Sequence, residues 1–582
     1  MQRKIKNYNS KYKNYKGVYE RLEDGKPLAF NQSGYSYPLP RNASLQTTYY
    51  KGEKGDFYIY ADDEMKVLDF SQATKGCIVY FDGTYLTAEP NPFWLDGNNV
   101  FQDRYDVFIA GGGSGAIGTA FALKDLGYKV CMIEKLDSLG GTHSNTAIIG
   151  QIPSPIGSWY KDILRASIDS CATSVAGTIT TAENLDSNFK AGQVSLNASQ
   201  YGKHTVVNPY WYKRYLLEEF QGKIDVKLNT EVIDNKEING KIIYATVRNT
   251  KTGVIKNIYA DYFVDCTADC YLLRANKELG KDYFIGSDSK ALYNESAYVD
   301  GYIGDKYGIN AYEICYYYGN PQYNKLSSDD RISKITDINK IESIPGVVSG
   351  TNGNFAICRG YKYFKSTYSA ESSLNVMSPD YKCGIPQNWL IDYGYDYTYN
   401  NSEKYAKAHY KIQVGNSSSF RGKTDLLAMR EGYRMKCDRM LKQTDIETKV
   451  TSENLVTEHY VALSTWYADS HVPTGKPATF NASAVKSSWL NGVPYECLIP
   501  SCYKNALVAC RGFGASHISA SAIRLIRTMM SLGYASGKAI QLCLENKLDD
   551  VRKVDITQLQ TNIGISDLLT EVNARIAELG TH

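Results

Sequence analysis

Between residues 101 and 135 the chain passes through two apolar runs separated by one amphipathic stretch. "DVFIA", Asp106 to Ala110, is continuously apolar after its first residue, as expected of a strand buried on both faces of a parallel sheet. From Ser114 to Leu126, Ala116, Ala120, Leu123 and Leu126 recur at helical spacing, and Gly127 supplies a C′ stop. "KVCMIE" then predicts a second strand. Strand, glycines, helix and strand together predict a βαβ unit.

Further along, 208–220 predicts a helix with Tyr215, Leu216 and Phe220 on its apolar face. A run of strands follows to about residue 266, with Asn239-Gly240 as a hairpin turn. One helix is expected near Thr424 to Leu441 in an otherwise irregular, aromatic stretch from 280 to 460. "NALVAC" reads as a buried strand. "SAIRLIRTMMSLGYASGKAIQLCLEN" reads as one long helix with Ala522, Ile526, Met529, Gly533, Gly537, Ile540 and Leu544 on one face. Ahead of the βαβ unit, "DFYIYADD", "KVLDF" and "CIVYFDGTYLTAEP" are short strand-like runs, so residues 1–100 predict a small β-rich extension.

Composition narrows the class. The 582 residues allow several domains, and 43% hydrophobic with 22% charged residues is ordinary for a soluble globular chain. A net charge of +3 gives no electrostatic reason to bind nucleic acid. The basic residues Arg3, Lys4, Lys6, Lys11 and Lys13 are not followed by an apolar core, so they do not form an intact secretory signal. A cytoplasmic location is expected, a processed export signal being left open. No window is long and apolar enough to span a bilayer. The 13 cysteines contain no CxxC pair, which predicts buried, reduced thiols and no metal site. The 49 tyrosines fit either a polar binding surface or a compositional bias.

The glycine cluster admits two frames. Gly111-x-Gly113-x-x-Ala116 starts directly at the strand end, and Gly113-x-Gly115-x-x-Gly118 starts two residues later. The first is preferred. In it Gly111 makes the tight turn, Gly113 lets backbone approach a pyrophosphate, and Ala116 packs helix on strand. The pyrophosphate then meets the free N–H groups at the helix terminus, from Ser114 and Gly115 onward. Glu134 ends the second strand roughly 20 residues on, where it accepts from ribose hydroxyls and repels a 2′-phosphate. NADP is thereby disfavoured, and FAD and NAD both fit.

The stretch after Glu134 and Lys135 carries a second glycine pair, Gly140-Gly141, followed by Thr142. With that pair the chain resembles the FAD-dependent oxidoreductases of the glutathione-reductase-like, two-dinucleotide-binding fold. Three later segments share the resemblance. "VDCTAD" is similar to a family strand ending in Asp-Ala-Thr-Gly-Asp, placing Asp265 and Thr267, with Ala268 where the family has glycine. "WYADSHV" is similar to a family Asp-x-His, at Asp469 and His471. "NALVACRGFGASHISASAIRLIRTMMSLGYASGKA" resembles the closing flavin segment, with Arg511, Arg524, Gly533 and Gly537 in matching places and Cys510 as a departure. The resemblance covers about 101–280 and 460–560.

It implies an α/β protein. A Rossmann-like FAD-binding domain is expected over 101–280 and again over 461–582, split by an inserted α+β substrate or cap region over 281–460. It further implies an FAD-dependent dehydrogenase, oxidase or reductase. Hydride would pass between a small polar organic substrate and flavin N5, with an electron acceptor the sequence leaves open. His471 and His517 are the candidate bases, Asp469 the group that orients His471, and Arg524 the group for a substrate carboxylate or reduced flavin. Flavin attachment is expected to be noncovalent, with His143 the one histidine beside a pyrophosphate turn. With one convincing glycine fingerprint, no second NAD(P)H domain is expected. The alternative is a flavin-stabilised binding or structural protein, carbohydrate-binding through its N-terminal region.

Overall fold

The computed structural model describes residues 104–146, 150–170, 172–175, 178–195, 204–276, 280, 282–286, 292–297, 393–403, 423–469, 485–486 and 489–580, and elsewhere only the course of individual helices and strands. The chain divides into two compact units, Met1–Arg104 and Tyr105–His582.

The elements described in the first unit are strands. Cys77–Phe81 and Tyr85–Pro90 pair antiparallel within a six-stranded sheet, and Thr47–Tyr49, Phe57–Ala61 and Glu64–Leu68 make a three-stranded one. The strand-like runs read from the sequence lie on these strands.

The second unit is built on a seven-stranded sheet. Its elements, in chain order, are β1 (Arg104–Ala110), α1 (Ser114–Leu123), β2 (Val130–Ile133), α2 (Gly141–Asn145), α3 (Pro209–Phe220), β3 (Asp225–Lys227), β4 (Thr230–Ile238), β5 (Lys241–Asn249), β6 (Ile255–Asp265), α4 (Tyr271–Ala275), β7 (Ala506–Val508), α5 (His517–Ile523) and α6 (Ile526–Glu545). The strand order is β3-β2-β1-β6-β5-β4. β1, β2 and β3 run parallel, and β4, β5 and β6 form an antiparallel meander. The first half of β6 pairs with β5, while Phe263, Val264 and Asp265 pair in parallel with β7. The C-terminal segment therefore returns to the sheet that the βαβ unit begins.

Local chemistry explains several boundaries. Asn208 caps α3 by accepting from the Tyr210 and Trp211 amides, and Pro209 occupies the first helical position. Asn239 and Gly240 both take positive φ at the β4–β5 turn. Helix α1 ends at Leu123, before the expected Leu126, which is 39% exposed. Gly127 follows in the left-handed region, at φ +79°.

Two expectations are corrected. Residues Thr424 to Leu441 are not helical. Ser419–Ala428 is a strand paired with Glu313–Gly319, and Tyr433–Met435 is a strand paired with Tyr283–Ile285. Backbone pairing with distant strands overrides the local helical spacing. The long C-terminal helix is two helices. Arg524 closes α5, Leu525 is extended, and α6 starts at Ile526. The Arg524 guanidinium donates to the Asp469 carbonyl at 2.7 Å, and α6 packs on α1.

α1 and α6 cross with almost no side chain between them. A methyl on Gly118 would sit 1.9 Å from the Met530 carbonyl oxygen, and one on Gly533 would sit 1.8 Å from that of Gly115. Thr119 Oγ1 lies 3.0 Å from both the Gly115 and the Gly533 carbonyl oxygens. This close crossing, with Val107, Phe108, Ile109, Met132, Phe263 and Leu507 beneath it, forms the core that holds the ends of β1, β6 and β7 in place.

Candidate functional site

The ends of β1, β2, β6 and β7 meet where an open α/β sheet places its ligand, outside the carboxyl ends of the strands. Gly111 leaves β1 at φ +90°, and a methyl there would lie 2.7 Å from the Cys266 carbonyl oxygen, so no other residue fits. Gly113 is different. A methyl on it would make only ordinary contacts, with the Cys266 oxygen at 3.8 Å and Gly141 Cα at 3.9 Å. Helix α1 starts there without a side-chain cap, which leaves its first N–H groups for an anion.

The second glycine pair is welded to the first. The Gly140 amide donates to the Gly112 carbonyl at 2.9 Å, and a methyl on Gly141 would fall 2.7 Å from Gly113 Cα. Both glycines have positive φ. Thr142 lies in α2, its carbonyl accepting from the Thr146 amide at 3.2 Å. Two uncapped helix starts therefore flank one patch of bare backbone. This donor set fits a pyrophosphate.

Glu134 is buried at the end of β2. Its carboxylate accepts from the Gly112 amide at 2.7 Å and from the Leu136 amide at 2.9 Å. Burial raises its pKa, and these amides work in the opposite direction. The carboxylate thus braces the glycine turn. Two amide bonds leave acceptor capacity for the expected ribose hydroxyls. Lys135 stacks over the Tyr395 ring at 4.0 Å.

Ala116 is fully buried in α1, but the tight contact between helix and returning strand falls at Gly115. A methyl on Gly115 would be 1.6 Å from the Ala509 carbonyl oxygen. Gly533 serves the helix crossing.

Asp265 ends β6 with no exposure. It accepts from Thr267 N at 2.9 Å, Thr267 Oγ1 at 2.6 Å and Leu273 N at 3.0 Å, so it ties the following loop to α4. Burial raises its pKa against the effect of these bonds. The loop keeps a left-handed residue where the resembling family has glycine: Ala268 has φ +69°, and Cys270 follows at +56°. Arg511 donates to Asp269 Oδ1 at 2.9 Å. Burial opposes the Arg511 charge, but Asp269 more than offsets it and the pKa is raised.

His517 and Asp469 sit against different partners. His517 opens α5, fully buried, with Nδ1 2.6 Å from Glu431 Oε1. Arg434 donates to the Ala515 and Gly286 carbonyls on either side and approaches Glu431 to 3.9 Å. Asp469 pairs with Arg524, whose Nη2 lies 2.7 Å from its carbonyl and 3.3 Å from Oδ2. His471 lies outside the described residues. Glu431 escaped the sequence reading, because nothing in "MREGYRM" separates a histidine-binding carboxylate from a surface one.

Arg527, in the first turn of α6, has no exposure and donates to the Gly192 carbonyl, with Thr205 Oγ1 and Gln193 Oε1 at 3.4 Å. Burial lowers its pKa to about 10, which leaves it charged at neutral pH. His143 is buried against Tyr212, edge to face, with Nε2 3.4 Å from Gln151 Nε2.

A sequence profile described as FAD dependent oxidoreductase matches residues 106–563. The chain belongs to the FAD dependent oxidoreductase family. FAD is accordingly its cofactor, and the bare glycine turns above are of the kind its pyrophosphate requires. No curated protein matches the chain. Among solved structures it is similar to the myxobacterial chondrochloren halogenase CndH, a variant FAD-dependent halogenase (12% identity, 79% of this chain and 78% of that one, TM-score 0.35). It is also similar to a geranylgeranyl bacteriochlorophyll reductase-like protein from Thermoplasma acidophilum (11%, 81% and 87%, TM-score 0.32) and to the flavin-dependent brominase Bmp2 (10%, 77% and 81%, TM-score 0.34). No helix among the described residues of this FAD dependent oxidoreductase is long and apolar enough to cross a membrane.

Proposed function

We propose that the protein transfers a hydride between a small polar organic molecule and N5 of its FAD, with His517 handling the accompanying proton. The observation that carries this reading is the buried Glu431–His517 pair at the start of α5. A carboxylate against Nδ1 fixes the orientation of the imidazole, as a group that takes or returns a proton requires.

FAD, when bound, supplies the two-electron chemistry. The chain's own residues do the rest. The Gly111–Gly113 turn, Ser114, Gly115 and the Gly140–Thr142 turn would hold the pyrophosphate, and Glu134 the ribose. Arg511 would lie along the returning loop with its charge balanced by Asp269. Arg524, held by Asp469, is the candidate for a substrate carboxylate, and His471 is the second candidate base. The segment 281–460 would cover the substrate.

The test is an anaerobic screen of small polar metabolites against the purified holoprotein, read by flavin absorbance. Bleaching by one chemical class is the expected result. A flavin that no metabolite bleaches, in a protein that still binds one of them, would favour the binding role instead.

A further inference from the structure

The loops that follow β6 and β7 touch at two adjacent points. Asp269 pairs with Arg511, and their chain neighbours Cys270 and Cys510 bring their sulfurs to 4.0 Å. Cys270 has no exposure, and its Sγ lies 3.4 Å from the Gly512 carbonyl oxygen. A methyl on Gly512 would lie 2.2 Å from that sulfur, so the glycine makes room for it. The Gly512 amide in turn lies 3.4 Å from Cys510 Sγ. Cys270 also adopts a left-handed backbone, at φ +56°, that side-chain-bearing residues rarely take.

We propose that Cys270 and Cys510 are a redox-modification site, a dithiol that low-molecular-weight disulfides convert reversibly into a cross-link between the two loops. The proposal rests on this geometry and not on the hydride-transfer reading. Cys510 keeps 5% exposure and Cys270 none, so a small disulfide meets Cys510 first. The Cys510 thiol gives up its proton and its sulfur attacks the reagent. One reagent thiol leaves with that proton, and a mixed disulfide remains. Cys270 then loses its proton and attacks the Cys510 sulfur, expelling the second reagent thiol. Overall two protein thiols and one small disulfide become one protein disulfide and two small thiols. Burial holds the Cys270 thiol well above the ordinary range, and the neighbouring Cys510 raises it further.

The cross-link would join two parts of the cofactor cradle. The Cys266 carbonyl and Thr267 Cα crowd Gly111, and residues 510–514 carry the returning segment. The oxidised protein should therefore release FAD more slowly than the reduced protein.

Holoprotein treated with oxidised glutathione, alkylated under denaturing conditions and digested without reduction tests the site. The expected result is a peptide pair joining Cys270 to Cys510, a loss of two alkylatable thiols, and recovery of both with dithiothreitol. Cys266→Ser should retain the link, and Cys510→Ser should lack it. A wild-type link from Cys266 to Cys510, or full alkylation of Cys270 and Cys510 after oxidation, would overturn the proposal without touching the proposed reaction.

Discussion

Glu431 Oε1 lies 2.6 Å from His517 Nδ1, and both side chains are buried. A positioned base contributes about 10²–10⁴-fold to a proton-coupled step. His517→Gln should therefore keep FAD but slow anaerobic flavin reduction by a factor in that range. Glu431→Gln should slow it less, and the double variant should be no slower than His517→Gln alone, because both act through one imidazole. Stopped-flow reduction with the substrate found by screening measures this. Unchanged rates in both single variants would move attention to His471.

Two neighbouring glycines should fail in different ways. A Cβ on Gly113 makes only ordinary contacts, so Gly113→Val should purify folded, and its side chain over the turn should leave it colourless. Gly115→Ala drives a methyl into the Ala509 carbonyl, so it should lose about 1–3 kcal/mol in urea unfolding. Full flavin occupancy in Gly113→Val would count against the frame that starts at Gly111.

Ala268 holds a left-handed conformation at φ +69°. Relieving that strain with Ala268→Gly should stabilise the protein by roughly 1 kcal/mol. Thermal unfolding of the holoprotein reads the change, and a lower midpoint would show that the alanine methyl packs usefully.

His143 is buried against Tyr212 and beside Gln151. Noncovalent attachment is therefore expected, and acid precipitation should leave the flavin in the supernatant. A yellow pellet would contradict it.

The glycine turns were legible because Gly111, Gly140 and Gly141 each adopt a backbone that a side chain disfavours, so chemistry and sequence letter coincide. The returning strand was legible for a similar reason, its residues Ala506, Leu507 and Val508 being buried on both faces. The strand over Ser419–Ala428 was not, because its partner lies about 100 residues earlier and leaves no mark on local spacing. The break at Leu525 was hidden likewise, since Ala522, Ile526 and Met529 keep helical spacing across it. Glu431 shows the same limit at the site. Its meaning comes from His517, 86 residues on, and not from its neighbours in the chain.

Asp269 and Arg511, which close the cradle, are 242 residues apart in the chain. At about 5–20 residues per second, a ribosome needs roughly 10–50 s to travel between them. Throughout that interval the nascent βαβ unit has its glycine turn but neither β7 nor the helix that crosses α1. The edge of β6 at Phe263 to Asp265 waits unpaired, and Gly115 and Gly118 face no partner. Birth order thus makes cofactor loading a late event, and a message truncated before residue 506 would yield a chain with half a cradle and an open strand edge.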